Sequence, residues 1–180
     1  MTLDEPAERA HIRPARSDDA QSIAAVHVDS WRAAYPGLLP DAVLDGLSVG
    51  DRARHWERIL GVAAPGQVVV AEVGDRLVGF AHVGPAHEGD TGPATGQLDA
   101  IYLHPDVWGT GVGRAVHDAG LDRLADDGFV DAVLWKLSTN ARAGRFYERQ
   151  GWVRDGRIRV QQFGGTVVVD HRFARGLPTR

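Results

Sequence analysis

The spacing of apolar residues predicts helices in the first third of the chain. Over residues 18–35, apolar side chains recur every three or four positions, the period of an amphipathic helix. We expect Ser17 to cap this helix and Pro36 to end it. A short strand around Ile12 precedes it, and two further helical segments follow, LPDAVLDGL and VGDRARHWERIL.

From residue 67 the pattern changes to short β-branched or apolar runs. QVVVAEV and RLVGFAHV predict two strands joined by a hairpin turn, and QLDAIYL predicts a third strand after a loop at 84–96. A helix starting at Val112, a strand (FVDAVLWKL), a helix (NARAGRFYERQ) and a final hairpin around Gly164 complete the order. Only the strands on either side of the Val112 helix need to run parallel, so the sequence predicts a mixed α/β fold.

Composition narrows the class of protein. At 180 residues we expect a single domain at 11–176, with a flexible leader at 1–10 and a tail at 177–180. The net charge of −4 argues against a nucleic-acid partner or an anionic membrane surface. The chain has no cysteine, no apolar run of membrane-spanning length and no signal-like start, so we expect a cytoplasmic protein. Its eight histidines lack ligand spacing, so we predict no metal site.

Three glycines, Gly109, Gly111 and Gly113, alternate where a predicted strand gives way to the helix at Val112. Such a turn exposes backbone N–H groups at a helix N-terminus and suits a phosphate, although the glycines could serve the turn alone. A nucleotide P-loop requires Gly-Lys-Ser/Thr, whereas Arg114 follows the last glycine here. The alternate spacing and late position also disfavour a dinucleotide-binding fold.

The segments LDAIYLHPDVWGTGVGRAV and LSTNARAGRFYERQGW resemble the Gcn5-related N-acetyltransferase (GNAT) superfamily. Its signature is a strand ending in proline, Gln/Arg-x-x-Gly-x-Gly/Ala opening a helix, an Asn and a Tyr on the next helix, and Gly-Phe or Gly-Trp. The resemblance is close over residues 96–153. It implies a central, mostly antiparallel sheet with a splayed parallel strand pair, flanked by helices.

The resemblance also implies that acetyl-CoA lies between the splayed strands and contacts mainly backbone. The matching residues are Ile101, Tyr102, Leu103, Gly109, Thr110, Gly111, Val112, Gly113 and Arg114. The family usually has Gln or Arg at the first motif position, where this chain has Trp108. That departure affects a side-chain contact and leaves the backbone amides in place.

Two residues on the following helix belong to the same signature. Asn140 and Tyr147 are seven positions apart and therefore share a helix face. The resemblance implies that Asn140 contacts the pantetheine arm, and it is equally a candidate N-cap. For Tyr147 it implies a phenol near the cofactor sulfur that can protonate the departing thiolate; the alternative is a core aromatic.

Transfer to an amine needs a base, because an unperturbed ammonium is mostly charged at neutral pH. Many relatives carry a glutamate where this chain has Trp135. We therefore predict that Asp99 is the general base or binds the acceptor amine, with Glu72 and His82 on neighbouring strands as alternative candidates. The alternative for Asp99 is a solvated surface carboxylate.

The acceptor side is less defined. Trp31 and Tyr35 lie one turn apart and could line an acceptor pocket, although Trp31 also suits a core position. We expect an acetyl-CoA-dependent N-acetyltransferase acting on a small-molecule or peptide amine by direct transfer in a ternary complex. The resemblance also allows a homodimer through the C-terminal strands. The alternative is a degenerate acyl-CoA-binding module without efficient catalysis, which Trp135 favours.

Overall fold

The structure, a computed structural model, describes residues 10–64 and 66–178. Within them, seven strands form one sheet in the order β1-β2-β3-β4-β5-β7-β6. The strands are β1 (His11–Pro14), β2 (Val68–Val73), β3 (Arg76–Pro85), β4 (Thr95–Leu103), β5 (Asp131–Leu137), β6 (Val153–Phe163) and β7 (Thr166–Gly176). The helices are α1 (Ala20–Ala34), α2 (Asp41–Asp45), α3 (Val49–Val62), α4 (Val112–Asp126) and α5 (Ala141–Arg149).

Strands β4 and β5 form the parallel pair that the sequence predicts on either side of α4. They are in register only from Thr95 to Gln97, opposite Asp131 to Val133, and separate beyond that point. The other neighbouring strands in the sheet are antiparallel. The mixed α/β class, with a splayed parallel pair in a mostly antiparallel sheet, is confirmed.

Helices cover both faces of the sheet because the buried strands are apolar on both sides. On β2, Val69 and Ala71 belong to the core cluster that includes Val116 and Leu124 of α4. The intervening Val68 and Val70 belong to a second cluster with Ile23 of α1 and Trp56 of α3. Since successive strand residues point to opposite faces, the two clusters form two core layers.

Strand β4 carries a β-bulge at the end of its paired segment. Val83 pairs with Leu98 and His82 pairs with Ala100, so Asp99 is the extra residue on β4. A bulge bends its strand and changes the direction of a side chain. Asp99 therefore lies at the point where β4 turns away from β5.

Several predicted boundaries need correction. Ser17 does not cap the first helix: Ser17–Asp19 form a single 3-10 turn, and the Asp19 carboxylate accepts a 2.6 Å hydrogen bond from the Arg16 N–H. Helix α1 begins only after this turn, and its N-cap position is Asp19 and not Ser17. The predicted loop at 84–96 is shorter, because β3 extends to Pro85 and β4 begins at Thr95.

Residues 1–9 of the predicted leader and residues 179–180 of the predicted tail lie outside the described part of the chain. Ala10 and Leu177, on the outer side of the predicted domain limits, pack against the core. Among the described helices, none has the length and apolar character that crossing a bilayer requires.

Candidate active site

A cleft of about 330 Å³ opens where β4 and β5 separate, and we call it the splay cleft. Residues 98–103 of β4 and 135–137 of β5 form two of its walls. The glycine loop and the start of α5 form its mouth. All three tyrosines of the chain, Tyr35, Tyr102 and Tyr147, line it. The cleft exists because pairing between the two strands stops after three residues.

The β4 wall of the splay cleft is largely open backbone. Beyond Gln97, β4 has no strand partner on its β5 side. Buried backbone N–H and C=O groups require hydrogen-bond partners, so this edge suits an extended ligand that carries amides. Ile101, Tyr102 and Leu103, predicted from the resemblance, all line the cleft on this wall.

The glycine loop has the geometry of an anion cradle. Gly109 and Gly111 have φ angles of 81° and 95°, which L side chains rarely adopt, and a Cβ on either would meet no atom within 4 Å. The loop therefore leaves open space in front of the first N–H groups of α4, where the helix dipole favours an anion. Gly109, Gly111, Gly113 and Arg114 line the cleft.

Two predicted loop residues contribute differently. The Thr110 hydroxyl donates a 2.7 Å hydrogen bond to the Val107 carbonyl, so its side chain stabilises the turn. Val112 is buried in the core cluster below α4. Neither side chain lines the cleft, and any contact of theirs with a ligand is limited to backbone.

Trp108 and Arg142 connect the loop to α5 across the cleft. The Trp108 indole N–H donates a 3.0 Å hydrogen bond to the Leu103 carbonyl. The Arg142 guanidinium carbon lies 3.3 Å from the centroid of the Trp108 ring, a cation–π contact. Both residues line the cleft, so the tryptophan at the first motif position holds a cation there. Sequence reasoning missed Arg142; its position two residues after Asn140 was the available signal.

Asn140 has the capping role that the sequence allows. Its side-chain oxygen accepts a 3.0 Å hydrogen bond from the Ala143 N–H at the start of α5. Its carbonyl accepts from the Lys136 ammonium at 3.1 Å, and burial lowers the pKa of Lys136. Asn140 and Lys136 both line the splay cleft. Lys136 is a site residue that the sequence did not predict.

Tyr147 lines the splay cleft and also packs against the core. Its ring contacts Trp152 and Phe173, with centroid distances of 6.3 and 6.4 Å. Burial raises the pKa of the Tyr147 phenol well above its ordinary value, so the phenol stays protonated near neutral pH. The two predicted alternatives, cleft phenol and core aromatic, are therefore compatible.

Asp99 is held by neighbouring side chains at the strand separation. Its Oδ1 accepts a 2.6 Å hydrogen bond from the Gln97 amide, and its Oδ2 lies 3.7 Å from His82 Nδ1. The side chain is 22% exposed. Burial raises the pKa of Asp99, although the His82 ring opposes the effect, and burial lowers the pKa of His82. A carboxylate with a raised pKa is a stronger base than a surface carboxylate.

A second cavity of about 340 Å³ lies beside the splay cleft, and we call it the hairpin pocket. Its walls come from α1, β4, β5 and the β6–β7 hairpin. It shares with the splay cleft the residues Tyr35, Leu98, Asp99, Tyr102, Trp135 and Leu137. The two cavities therefore meet around Asp99.

Aromatic side chains and an ion pair form the far wall of the hairpin pocket. The Trp31 ring packs against Tyr35 and Phe163, with centroid distances of 5.0 and 6.3 Å. Asp170 accepts hydrogen bonds from Arg159, at 2.9 Å, and from Gln161. In the hairpin register, Arg159 lies opposite Asp170, so β6 and β7 present these groups to one face. Trp31 and Tyr35, the predicted acceptor-side residues, both line the hairpin pocket.

Glu72 and His82 do not line either cavity. The Glu72 carboxylate accepts a 3.0 Å hydrogen bond from Arg13 and lies 3.5 Å from His11, both on β1. The structure separates Glu72 from the site because β2 pairs with β1 and β3, away from the splayed pair. His82 is connected to the site by the 3.7 Å contact of its Nδ1 with Asp99 Oδ2. No group of three or more metal-ligating side chains occurs in the described residues.

The chain matches the acetyltransferase (GNAT) family over residues 25–152, most of its length. It belongs to that family, and the predicted family and enzyme class are confirmed. It is 32% identical to the uncharacterised N-acetyltransferase YuaI of Bacillus subtilis over 129 residues, 72% of each chain. It is also 38% identical to the mycothiol acetyltransferase of Geodermatophilus obscurus, over half of this chain and 30% of that protein.

Solved structures share the fold. YncA of Salmonella typhimurium, a putative acetyltransferase solved with acetyl-CoA, superposes with a TM-score of 0.71 over 96% of each chain at 20% identity. PaiA N-acetyltransferase of Thermoplasma acidophilum, solved with coenzyme A, superposes with a TM-score of 0.66 at 16% identity, over 91% of this chain and 98% of that one.

Proposed function

We propose that the protein is an acetyl-CoA-dependent N-acetyltransferase that transfers the acetyl group directly to a primary amine in a ternary complex. The observation that supports this most strongly is that the splay cleft and the hairpin pocket meet at a carboxylate, Asp99. One cavity suits an extended amide-bearing cofactor, and the other suits a compact acceptor. The acceptor class is a small-molecule or peptide amine, and neither a nucleic acid nor a membrane is a partner.

The described residues fit coenzyme A. The unpaired edge of β4 offers backbone to the pantetheine amides, and the open glycine loop offers N–H groups to the pyrophosphate. Arg114 and Arg142 place two cations beside that loop. When bound, acetyl-CoA supplies the acetyl group as a thioester.

In the proposed mechanism, Asp99 takes the proton from the acceptor ammonium or from the amine as it reacts. Its raised pKa suits this role, and its Oδ2 lies 3.7 Å from His82 Nδ1, beyond hydrogen-bond distance. Tyr147 holds a proton on the cleft side and donates it to the leaving sulfur. Burial raises the pKa of the Tyr147 phenol, so its proton is present near neutral pH before the sulfur leaves.

Direct transfer fits the absence of cysteine and the continuity of the two cavities. A covalent acyl-enzyme would require a nucleophile between the cavities, and cysteine, the side chain that is most nucleophilic near neutral pH, is absent from the chain. The rival function is an acyl-CoA-binding module without efficient catalysis, favoured by Trp135 in place of a glutamate. Asp99 at the junction favours the enzyme.

Thiol release from acetyl-CoA across a panel of amines tests the proposal. We expect at least one amine to accelerate release at neutral pH, with equimolar formation of the N-acetyl product. If calorimetry shows cofactor binding while no amine accelerates release, the enzyme proposal is wrong and the binding-module alternative is favoured.

We also propose a homodimer through the C-terminal strands and a cytoplasmic location. Strand β6 is an edge of the sheet, and Ile158, Val160 and Val167 are each about 60% exposed on the hairpin. An apolar edge strand favours pairing with another strand. Light scattering should give the mass of two chains, and Ile158→Lys should reduce it to one.

A further inference from the structure

His82 on β3 connects Asp99 to solvent outside the two cavities. Its Nδ1 lies 3.7 Å from Asp99 Oδ2, and the two side chains are each 22% exposed. Asp99 lines both the splay cleft and the hairpin pocket, whereas His82 lines neither. The solvent-accessible surface of His82 therefore lies outside both cavities.

Neighbouring elements hold these two side chains next to each other. His82 pairs with Ala100, beside the β-bulge that contains Asp99. The Gln97 amide donates a 2.6 Å hydrogen bond to Asp99 Oδ1. The Trp56 ring of α3 contacts the His82 ring edge-on, with a centroid distance of 5.9 Å. The contact between Asp99 and His82 is therefore fixed by the fold.

Both ring nitrogens of His82 can exchange a proton with water. Neither makes a hydrogen bond to another described residue, and neither is among the buried polar atoms that lack a partner. Both nitrogens therefore have solvent-accessible surface. Since an imidazole accepts a proton on one nitrogen and releases one from either, His82 can take a proton from Asp99 and pass it to water.

Burial brings the pKa values of the two groups closer together. It raises the pKa of Asp99 and lowers the pKa of His82. His55 on α3 and His87 in the β3–β4 loop lower the pKa of His82 further, while the Asp99 charge opposes the effect. Glu88, in the same loop, adds to the raised pKa of Asp99. A carboxyl and an imidazole with closer pKa values exchange a proton at a lower free-energy cost.

The proposed reaction requires a route for one proton. An acceptor that binds as an ammonium loses two protons when it becomes an amide, and the coenzyme A thiol keeps one of them. The other must reach solvent in every turnover. When acetyl-CoA and the acceptor fill the two cavities, they cover the surface of Asp99 that lines them, and the contact with His82 stays open to solvent.

We infer, on the basis of the proposed function, that His82 carries the proton from Asp99 to solvent while both substrates are bound. The Asp99 carboxylate takes the proton as the N–H bond of the acceptor breaks. The O–H bond then breaks as the proton moves to His82 Nδ1, and the imidazolium becomes neutral again by losing a proton to water. One bridging water or a small side-chain rotation closes the 3.7 Å gap, since such contacts are often long before substrates bind. His82 acts through Asp99 and touches neither substrate.

His82→Ala tests the inference, because it removes the imidazole and leaves room for imidazole from solution. The acceptor is the fastest in an amine panel that includes benzylamine, ethylenediamine and glycinamide, with saturating acetyl-CoA at low buffer concentration. We expect kcat to fall about 10-fold or more and the KM of the amine to stay within about twofold, since His82 lines neither cavity. Added imidazole, at constant ionic strength, should restore most of kcat in the variant and leave the wild-type rate unchanged.

His55→Ala is the matched control, because His55 packs against the same Trp56 ring and lines neither cavity. It should keep the wild-type kcat with and without imidazole. Unchanged kcat in His82→Ala, a loss that imidazole does not restore, or equal losses in both variants would overturn the inference and leave the proposed function standing. If the wild-type protein acetylates no amine of the panel, the proposed function fails and the inference with it.

An NMR titration of the His82 ring tests the contact without an acceptor. In the wild-type protein the Asp99 charge favours the protonated form of His82. Asp99→Asn removes that charge, so the titration midpoint of His82 should move to lower pH, while the midpoint of His55 should not move. An unchanged His82 midpoint would mean that the two side chains are not coupled, and it would overturn the inference.

Discussion

The Trp135 indole N–H donates a 2.6 Å hydrogen bond to Glu88 Oε1, joining β5 to the loop between β3 and β4. The same loop is held at Asp90, whose carboxylate accepts hydrogen bonds of 2.8 and 3.0 Å from Arg172 on β7. Trp135 lines both cavities, while Glu88 lines neither. Where many relatives have a glutamate, this chain therefore has a tryptophan that fastens a loop beside the site.

This contact predicts that Glu88 positions the loop and is not the base. Glu88→Gln keeps an oxygen that can accept from Trp135, so kcat/KM should stay within about threefold of wild type. Trp135→Phe removes the donor and should raise KM for the amine more than it lowers kcat. Steady-state kinetics on both variants separates the two parameters. Loss of turnover in Glu88→Gln, with a changed acid limb of the pH profile, would move the base from Asp99 to Glu88.

Asp99→Asn should lower kcat/KM about 100-fold or more at neutral pH, the usual contribution of a general base. In the wild-type protein the rate should fall on the acid side as Asp99 is protonated, at a pH above the ordinary carboxyl pKa because burial raises the pKa of Asp99. The variant should lose that acid limb and gain rate as the amine itself deprotonates. A pH-rate profile from pH 5 to pH 10 measures both effects.

Glu72→Gln is the control for Asp99→Asn. Glu72 is hydrogen-bonded to Arg13 and lines neither cavity. Its substitution should leave the pH-rate profile unchanged. If Asp99→Asn and Glu72→Gln gave the same profile, Asp99 would have no specific part in proton transfer.

Tyr147→Phe tests whether the Tyr147 phenol is the general acid. The ring keeps its packing against Trp152 and Phe173, so the protein should fold and bind coenzyme A within about threefold of wild-type affinity. Turnover should fall about 100-fold, because the leaving sulfur loses its proton donor. Pre-steady-state kinetics with acetyl-CoA and calorimetry with coenzyme A separate the two effects. Unchanged turnover would leave Tyr147 with a packing role alone.

The local parts of the site could be predicted from the sequence, and the parts assembled by topology could not. The glycine loop, the Asn140 cap and the Asn140–Tyr147 face depend on residues close in the chain. The hairpin pocket brings Arg159 and Asp170 beside Asp99, which is some 60 to 70 positions earlier. The hydrophobic periodicity of a single segment carries no information about contacts between residues so far apart in the chain.

The β-bulge explains a second limit of sequence reasoning. Strict alternation along β4 assigns Gln97 and Asp99 to one face, with Leu98 on the other. The extra residue at Asp99 breaks the alternation, and Leu98 lines the pocket together with its two neighbours. The sequence predicts Glu72 as an alternative base because it lies on a strand neighbouring that of Asp99. Its distance from the site follows from the order of the strands, which hydrophobic patterns leave open.

Gly111→Ala should weaken coenzyme A binding by about 10-fold or more, because an L side chain at a φ of 95° strains the loop that carries the anion-binding N–H groups. Gly128→Ala is a matched control. Gly128 follows α4, has a φ of 90° and open space around it, and lies away from the cleft. Both variants should lose about 1–2 kcal/mol of stability, and only Gly111→Ala should lose affinity by calorimetry. Equal affinity in the two would mean that the loop is not the anion site.

Asp19 should stabilise the fold in a pH-dependent way. Its carboxylate accepts 2.7 and 2.9 Å hydrogen bonds from Arg13, with both side chains about 12% exposed. The hydrogen bond from Arg13 lowers the pKa of Asp19, and the backbone N–H of Arg16 adds to the effect. A lowered folded-state pKa gives stability that is fully present above the unfolded pKa of about 3.9 and is lost as the pH falls through the folded value.

Asp19→Asn should therefore lower the free energy of unfolding by about 1–2 kcal/mol at pH 7, since it removes the charge-assisted hydrogen bonds to Arg13 while Glu72 remains as a partner of that guanidinium. The difference from wild type should persist to about pH 4 and then shrink, because the wild-type carboxyl is protonated as well. Urea unfolding at pH 7 and at successively lower pH measures this. Asp51→Asn, which removes an exposed pair with Arg54, should change stability by less than about 0.5 kcal/mol throughout. A loss at Asp19 that is the same at every pH would show that packing, and not the charge on the carboxylate, connects β1 to the start of α1.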